Sequence, residues 1–155
     1  NGPQPLIQSY DSADEEIAGV AKWLQEKLKS GSNESEIGVF VRSSVELKRA
    51  EDALIISGLK YKVLDENFDT MSGHVSVSTM HLAKGLEFSS VVVMACDDEV
   101  IPSQDRLESV GDESELEDVY NTERHLLYVA CTRARDSLLI TYTHPGSEFI
   151  DDMKQ

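Results

Sequence analysis

Two hydrophobic periods alternate along this chain. Ile17, Val20, Ala21, Leu24 and Leu28 follow helical spacing, as do Val45, Leu47, Ala50, Leu54 and Ile55. Each run reads as the apolar face of a helix. Ser12 with Glu15, and Ser43 with Glu46, form capping boxes at the two starts, and Gly31 and Gly58 end the runs. Between and beyond these helices lie short runs of strand character: Glu36 to Val41 (EIGVFV), Tyr61 to Leu64, a segment from His74, Ser90 to Ala95 (SVVVMA) and Ser137 to Thr143. In the third, Val75, Val77 and Thr79 alternate with Ser76, Ser78 and Met80, the two-residue period of an extended segment. Pro5 to Tyr10 is a short apolar stretch before a turn, and Asp65 to Gly73 and the acidic Asp97 to Glu113 segment read as connections. A third helix is predicted from about Leu116 to Ala134, and a short terminal one over Ser147 to Met153.

Strands that alternate with helices imply parallel βαβ units, and uninterrupted Val/Ile runs suit strands covered on both faces. The expected fold is therefore α/β, with one domain over residues 1–155. That length is enough to bury a real core. Asn1 rather than Met opens the sequence, so the chain reads as a piece of a longer protein.

Charge narrows the partners. The formal net charge of −15 argues against a domain that coats nucleic acid through a broad basic face. The acid is concentrated, with ten carboxylates and one base, Arg106, between Asp97 and Asp118. Arg42, Lys48 and Arg49 lie together, as do Arg124, Arg133 and Arg135, so a narrow basic site on an acidic body remains open. Cys96 and Cys131 sit in apolar runs without CxxC spacing or clustered histidines, which reads as reduced core thiols and no metal site. No apolar run reaches the length of a membrane span.

The chemistry concentrates in two stretches. VSVSTMHLAKGLEF (Val75 to Phe88) runs from a strand into a turn that packs His81, Lys84, Gly85 and Glu87 into seven residues. A donor, a cation, a permissive backbone and a carboxylate beyond a strand's carboxyl end make a ligand site in α/β folds. NTERHLLYVACTRAR (Asn121 to Arg135) sets three arginines around an apolar helical stripe. The chain has no GxxxxGK[ST] loop, no GxGxxG and no GxSxG, and therefore no phosphate cradle or nucleophile elbow of its own.

These stretches resemble the second motor domain of superfamily 1 helicases of the UvrD/Rep/PcrA type. EIGVFVRS (Glu36 to Ser43) is similar to that family's motif IV, STMHLAKGLEF (Ser78 to Phe88) to motif V, and TERHLLYVACTRARD (Thr122 to Asp136) to motif VI; SEFI (Ser147 to Ile150) resembles a coda after it. The resemblance implies a RecA-like three-layer αβα sandwich with a mostly parallel sheet. It implies a parent ATP-dependent DNA helicase or translocase, in which an N-terminal phosphate-loop domain supplies most ligands for ATP and Mg²⁺. On this resemblance Arg133 is the arginine finger and Arg42 a second γ-phosphate contact. Glu87 accepts from the ribose, Gly85 allows close backbone approach and Lys84 couples the sites. Thr79 and His81 face single-stranded DNA. A cytoplasmic location and a role in DNA repair are implied, and this chain alone is expected to be inactive.

Plainer roles stand beside these. Arg42 could cap the next helix, His81 could be structural, and Glu87 could pair with Lys84. Arg124 and Arg135 read as salt-bridging residues, and Tyr128 and Val129 as core. The acidic 97–118 run reads as a solvated loop, with a protein partner as its alternative use. The chain also departs from the larger members of the family. Only 34 residues separate Ser43 from Ser78, so the insertion found there in those members is missing or vestigial, and His125 replaces an arginine common in relatives. The rival class is a helicase-derived protein-binding module, for example in a relative that remodels RNA polymerase.

Overall fold

The computed structural model describes residues 2–67 and 69–154; Phe68, in the predicted 65–73 connection, lies outside the described residues. Six strands form one sheet: β1 (Leu6–Tyr10), β2 (Ile37–Val41), β3 (Tyr61–Val63), β4 (Val75–Thr79), β5 (Phe88–Val93) and β6 (Ala134–Thr143). Their order is β1-β6-β5-β2-β4-β3, and every pairing is parallel. The central strands β2 and β5 are buried along their whole length, while β1 and β3, at the two edges, are half exposed. Continuous apolar runs for central strands are what a parallel sheet covered on both faces requires.

Two helices, α1 (Ala13–Lys29) and α2 (Leu47–Ser57), cover one face. Their Ile17, Val20, Leu24, Ala50, Ala53 and Leu54 pack on Ile37, Val39, Val41, Val75 and Val77. The long helix α4 (Glu113–Cys131) and the short α5 (Glu148–Asp151) cover the other, with Leu127, Ala130, Phe149 and Ile150 against Phe40, Phe88, Val91 and Ile140. This is the three-layer αβα sandwich expected, with the sheet wholly rather than mostly parallel. Along β2, side chains alternate between the faces. Ile37, Val39 and Val41 therefore meet α1 and α2, while Gly38, Phe40 and Arg42 turn toward α4. Gly38 is needed there, because a Cβ at that position would lie 2.5 Å from the Phe88 ring.

Several expectations are corrected. Pro5 to Tyr10 includes a strand, because its backbone pairs with the buried carboxyl-terminal half of β6, from Leu6 opposite Leu139 to Tyr10 opposite Thr143. The Ser43–Glu46 box does not cap a helix: Ser43 Oγ donates to the Glu46 carboxylate at 2.6 Å, and a 3₁₀ turn over Ser44–Glu46 leads into α2. The acidic 97–113 segment is not simply a solvated loop. Ile101 is fully buried in the α4-side core, a short helix α3 (Gln104–Glu108) follows, and α4 opens at Glu113, capped by Asp112. Nor does every crossover carry an α-helix: β4 reaches β5 through only a 3₁₀ turn (Met80–Leu82) and five further residues. Tyr128, read as core, is 60% exposed.

A buried ion network joins the layers. Glu16 of α1, fully buried, accepts from Arg49 Nε (2.6 Å), Ala95 N (2.9 Å) and Thr141 Oγ1 (2.6 Å). The same Arg49 donates through both terminal nitrogens to Asp97, at 2.8 and 3.0 Å. Removing one member of such a set leaves buried carboxylates without their counter-charge. Arg49→Ala is accordingly expected to lower the unfolding free energy by about 3–5 kcal/mol, read from urea denaturation.

Candidate functional site

The predicted site residues divide between the two edges of the sheet. Arg42 follows β2 and Thr79 ends β4, so both stand at the carboxyl edge, with His81 in the turn beyond. Glu87 precedes β5 and Arg133 precedes β6, so both stand at the amino edge. The crossover after β4 carries Lys84 and Gly85 from the first edge toward the second; both are exposed, and Gly85 has φ +87°.

At the amino edge the chain brings Arg133 and Glu87 side by side. Phe88 N donates to Arg133 O at 3.0 Å, and Arg133 Nη1 donates to Leu86 O at 3.2 Å, so both neighbours of Glu87 bond to Arg133. The remaining guanidinium contacts are Nε to Val129 O (3.0 Å) and Nη2 to Thr132 Oγ1 (3.1 Å). All three acceptors are neutral. Among the described residues no carboxylate pairs with this half-buried cation. Glu87 is exposed and pairs at 3.8 Å with Arg135 rather than with Lys84. Arg124 likewise pairs with Asp152 at 3.8 Å and lies over the Phe149 ring.

At the carboxyl edge Arg42 neither caps a helix nor stands free. Its Nε and Nη2 donate to the two carboxylate oxygens of Glu123 at 2.7 and 2.6 Å. Glu123 is fully buried on α4 and also accepts from Ser103 N (2.8 Å) and Arg106 Nη1 (2.8 Å). Burial pushes this carboxyl up, but the Arg42 hydrogen bonds, the Ser103 amide and Arg106 together outweigh it and hold it below the usual carboxylate range. Sequence reading missed Glu123. The available signal was a carboxylate on the buried stripe of α4, four residues before Leu127.

The structure does not bring Arg42 and Arg133 together. Glu123 lies eight residues before the end of α4, which at about 1.5 Å per residue puts the grip on Arg42 about 12 Å from the helix terminus beside Arg133. His81, in contrast, lies within the electrostatic influence of Arg42. Partial burial lowers its pKa, and the positive charges of Arg42 and Arg106 lower it further against an opposing pull from Glu123. Thr79 borders a cavity of about 420 Å³ lined also by Asp65, Glu66, Asn67 and Leu82. The cysteines offer no nucleophile: burial pushes Cys131 up to about 12 and Cys96 well above its ordinary value.

An all-parallel αβα sandwich that holds a carboxylate-paired arginine at one sheet edge and, just past the end of α4 at the other edge, an arginine without a counter-charge has the architecture of a RecA-like helicase half. The chain belongs to the UvrD-like helicase C-terminal domain family, whose model matches residues 65–145. It is 33% identical over 146 residues to a probable DNA helicase II homolog of Rickettsia felis, covering 94% of this chain and 19% of that protein. It is 40% identical over 98 residues to DNA helicase II of Escherichia coli, covering 56% of this chain and 13% of the relative. The chain thus spans less than a fifth of the length of these relatives. Among solved structures, the C-terminal domain of a possible DNA helicase from Lactobacillus plantarum WCFS1 matches the fold with a TM-score of 0.69 at 20% identity, covering 100% of this chain and 83% of that one. Among the described residues no helix is long and apolar enough to cross a membrane.

Partial burial and the positive charges of Arg42 and Arg106 acting on His81 generate a pH prediction. Its titration midpoint, followed by NMR of the imidazole carbons, should lie below the ordinary histidine value. Removing the larger of the two charge effects with Arg42→Met should raise it, because the charged imidazolium is then repelled less.

Proposed function

We propose that this chain is the C-terminal motor domain of an ATP-dependent DNA helicase or translocase, in the cytoplasm, whose phosphate-loop domain lies elsewhere in the same polypeptide. The observation that carries the reading is Arg133. Its guanidinium is held in place by two backbone carbonyls and a hydroxyl, none of which cancels its charge. Such a cation is oriented in advance and free to meet an oxyanion. A rigid, permanently charged fork is what stabilises charge developing on a transferred phosphoryl group.

On this reading Arg133 meets the γ-phosphate of Mg²⁺-ATP when the two domains close. Glu87, placed beside Arg133 through Leu86 and Phe88, accepts from the ribose, and the positive φ of Gly85 lets backbone approach the nucleotide. Arg42 is the second phosphate contact, presented from its seat on Glu123. Lys84 lies on the crossover that joins the two edges and couples them. Thr79 and His81 contact single-stranded DNA. His81 does so in its neutral form near pH 7, donating a hydrogen bond or stacking on a base rather than neutralising a phosphate.

Without a phosphate loop the chain by itself turns over no ATP. The binding-module reading has less of the 97–118 segment to use than the sequence suggests, because Asp97, Ile101, Ser103 and Arg106 are engaged within the fold. Single-strand-stimulated ATP hydrolysis by the intact parent polypeptide tests the proposal. Arg133→Ala should lower kcat by about 10³-fold or more with nucleotide binding largely kept. Hydrolysis indifferent to Arg133 would overturn the motor reading and leave the binding module in its place.

A further inference from the structure

Glu123 is a fully buried carboxylate in the middle of a helix whose neighbouring inward positions are apolar. Packing alone would be served by an aliphatic side chain there. The carboxylate instead gathers donors from three separate segments: Arg42 after β2, the Ser103 amide, and Arg106 in α3. Two guanidiniums share one carboxylate, so the cluster keeps one net positive charge. A purely structural pair would cancel.

The geometry selects which part of Arg42 carries that surplus. Glu123 engages the guanidinium side-on through Nε and Nη2, which leaves Nη1 as the open edge. Arg42 lines a cavity of about 220 Å³ together with Ser43, Ser103 and Gln104, and with Glu46, Glu99 and Asp105 around it. Arg106, at 2.8 Å from Glu123 Oε2, draws on the same carboxylate and so weakens the hold of Glu123 on the Arg42 charge.

We propose that Glu123 and Arg106 are positioning residues for Arg42: the shared carboxylate fixes its guanidinium side-on, and Arg106, by drawing on the same carboxylate, leaves Arg42 less fully neutralised toward a nucleotide phosphate. The inference rests on Arg42 being a phosphate contact and names what makes it one. It assigns work to the acidic segment after β5, through Ser103 and Arg106.

A double-mutant cycle in the intact parent polypeptide tests it, with DNA-stimulated ATP hydrolysis and the thermal midpoint read for each variant. Arg106→Gln, at a partly exposed position, should lower kcat about tenfold while the KM for ATP changes by less than about twofold, the signature of help given mainly in the transition state. In an Arg42→Ala background the same change should have no further effect, because nothing is left to position. Glu123→Gln should also lower kcat. An Arg106→Gln loss that persists in the Arg42→Ala background, or follows the thermal midpoint, would make Arg106 merely structural and overturn the proposal. A rise in kcat or in ATP affinity with Glu123→Gln would overturn it too, since Glu123 would then be withholding Arg42. If Arg42→Ala leaves kcat unchanged while Arg133→Ala abolishes hydrolysis, the positioning proposal falls and the motor reading stands.

Discussion

Glu16 is the point at which the layers of this domain are tied. A carboxylate with no solvent exposure is tolerable only when its charge is met and its lone pairs are filled. Arg49, the Ala95 amide and the Thr141 hydroxyl meet those needs from α2, the chain just past β5 and the carboxyl end of β6. The demand is strong enough to hold Ala95 at a φ of +58°, in the region non-glycine residues avoid. Asp97 extends the tie, accepting from Arg49 and from Thr143 N at 2.7 Å. The carboxyl edge of the sheet is thereby fixed by charge as well as by its ladder. The segments leaving that edge, including the one that carries Ser103 and Arg106 toward Glu123, start from a rigid base.

A second buried carboxylate repeats the device on the opposite face. Glu16 serves α1 and α2, and Glu123 serves α4 and the chain after β5. Each recruits an arginine just after a strand or early in a helix, and each also takes a backbone amide from the post-β5 segment. Between them lies the sheet, whose core-facing side chains are largely apolar. The amino edge is built differently. Arg133 is seated by carbonyl oxygens and left charged, so stability and reactivity are divided between the two edges.

Much of this was legible in the sequence, for physical reasons that also explain the rest. The Val/Ile runs of β2 and β5 announce buried parallel strands because burial on both faces removes alternation. α1 shows its start at Ser12, whose Oγ accepts from Glu15 N, and α2 its stop at Gly58, with φ +78°. β1 was not read as a strand because it is an edge, exposed in part and defined mainly by its partner β6. Ile101 was hidden because one apolar residue among carboxylates has no period. Glu16 and Glu123 were unreadable as network centres, since their partners lie 33 and 81 residues away in Arg49 and Arg42. Arg133 and Glu87 were found through motif resemblance, and their adjacency appears only once Phe88 N meets Arg133 O.

The crossover between β4 and β5 has a mechanical consequence. From Thr79 to Phe88 the chain must descend six strand residues, about 20 Å, and pass two inter-strand spacings of about 5 Å each, a path of about 22 Å. Eight helical residues would cover about 12 Å, which is why no α-helix fits. The 3₁₀ turn, the tight turn closed by Leu86 N donating to Ala83 O at 3.1 Å and the few residues beside them leave little length to spare over that path, so the connection is short of slack. A taut strap passes tension along its length where a slack loop would absorb it. In the proposed motor, His81 near one end and Glu87 near the other would shift together, so that a pull on the bound strand is felt at the nucleotide through covalent bonds.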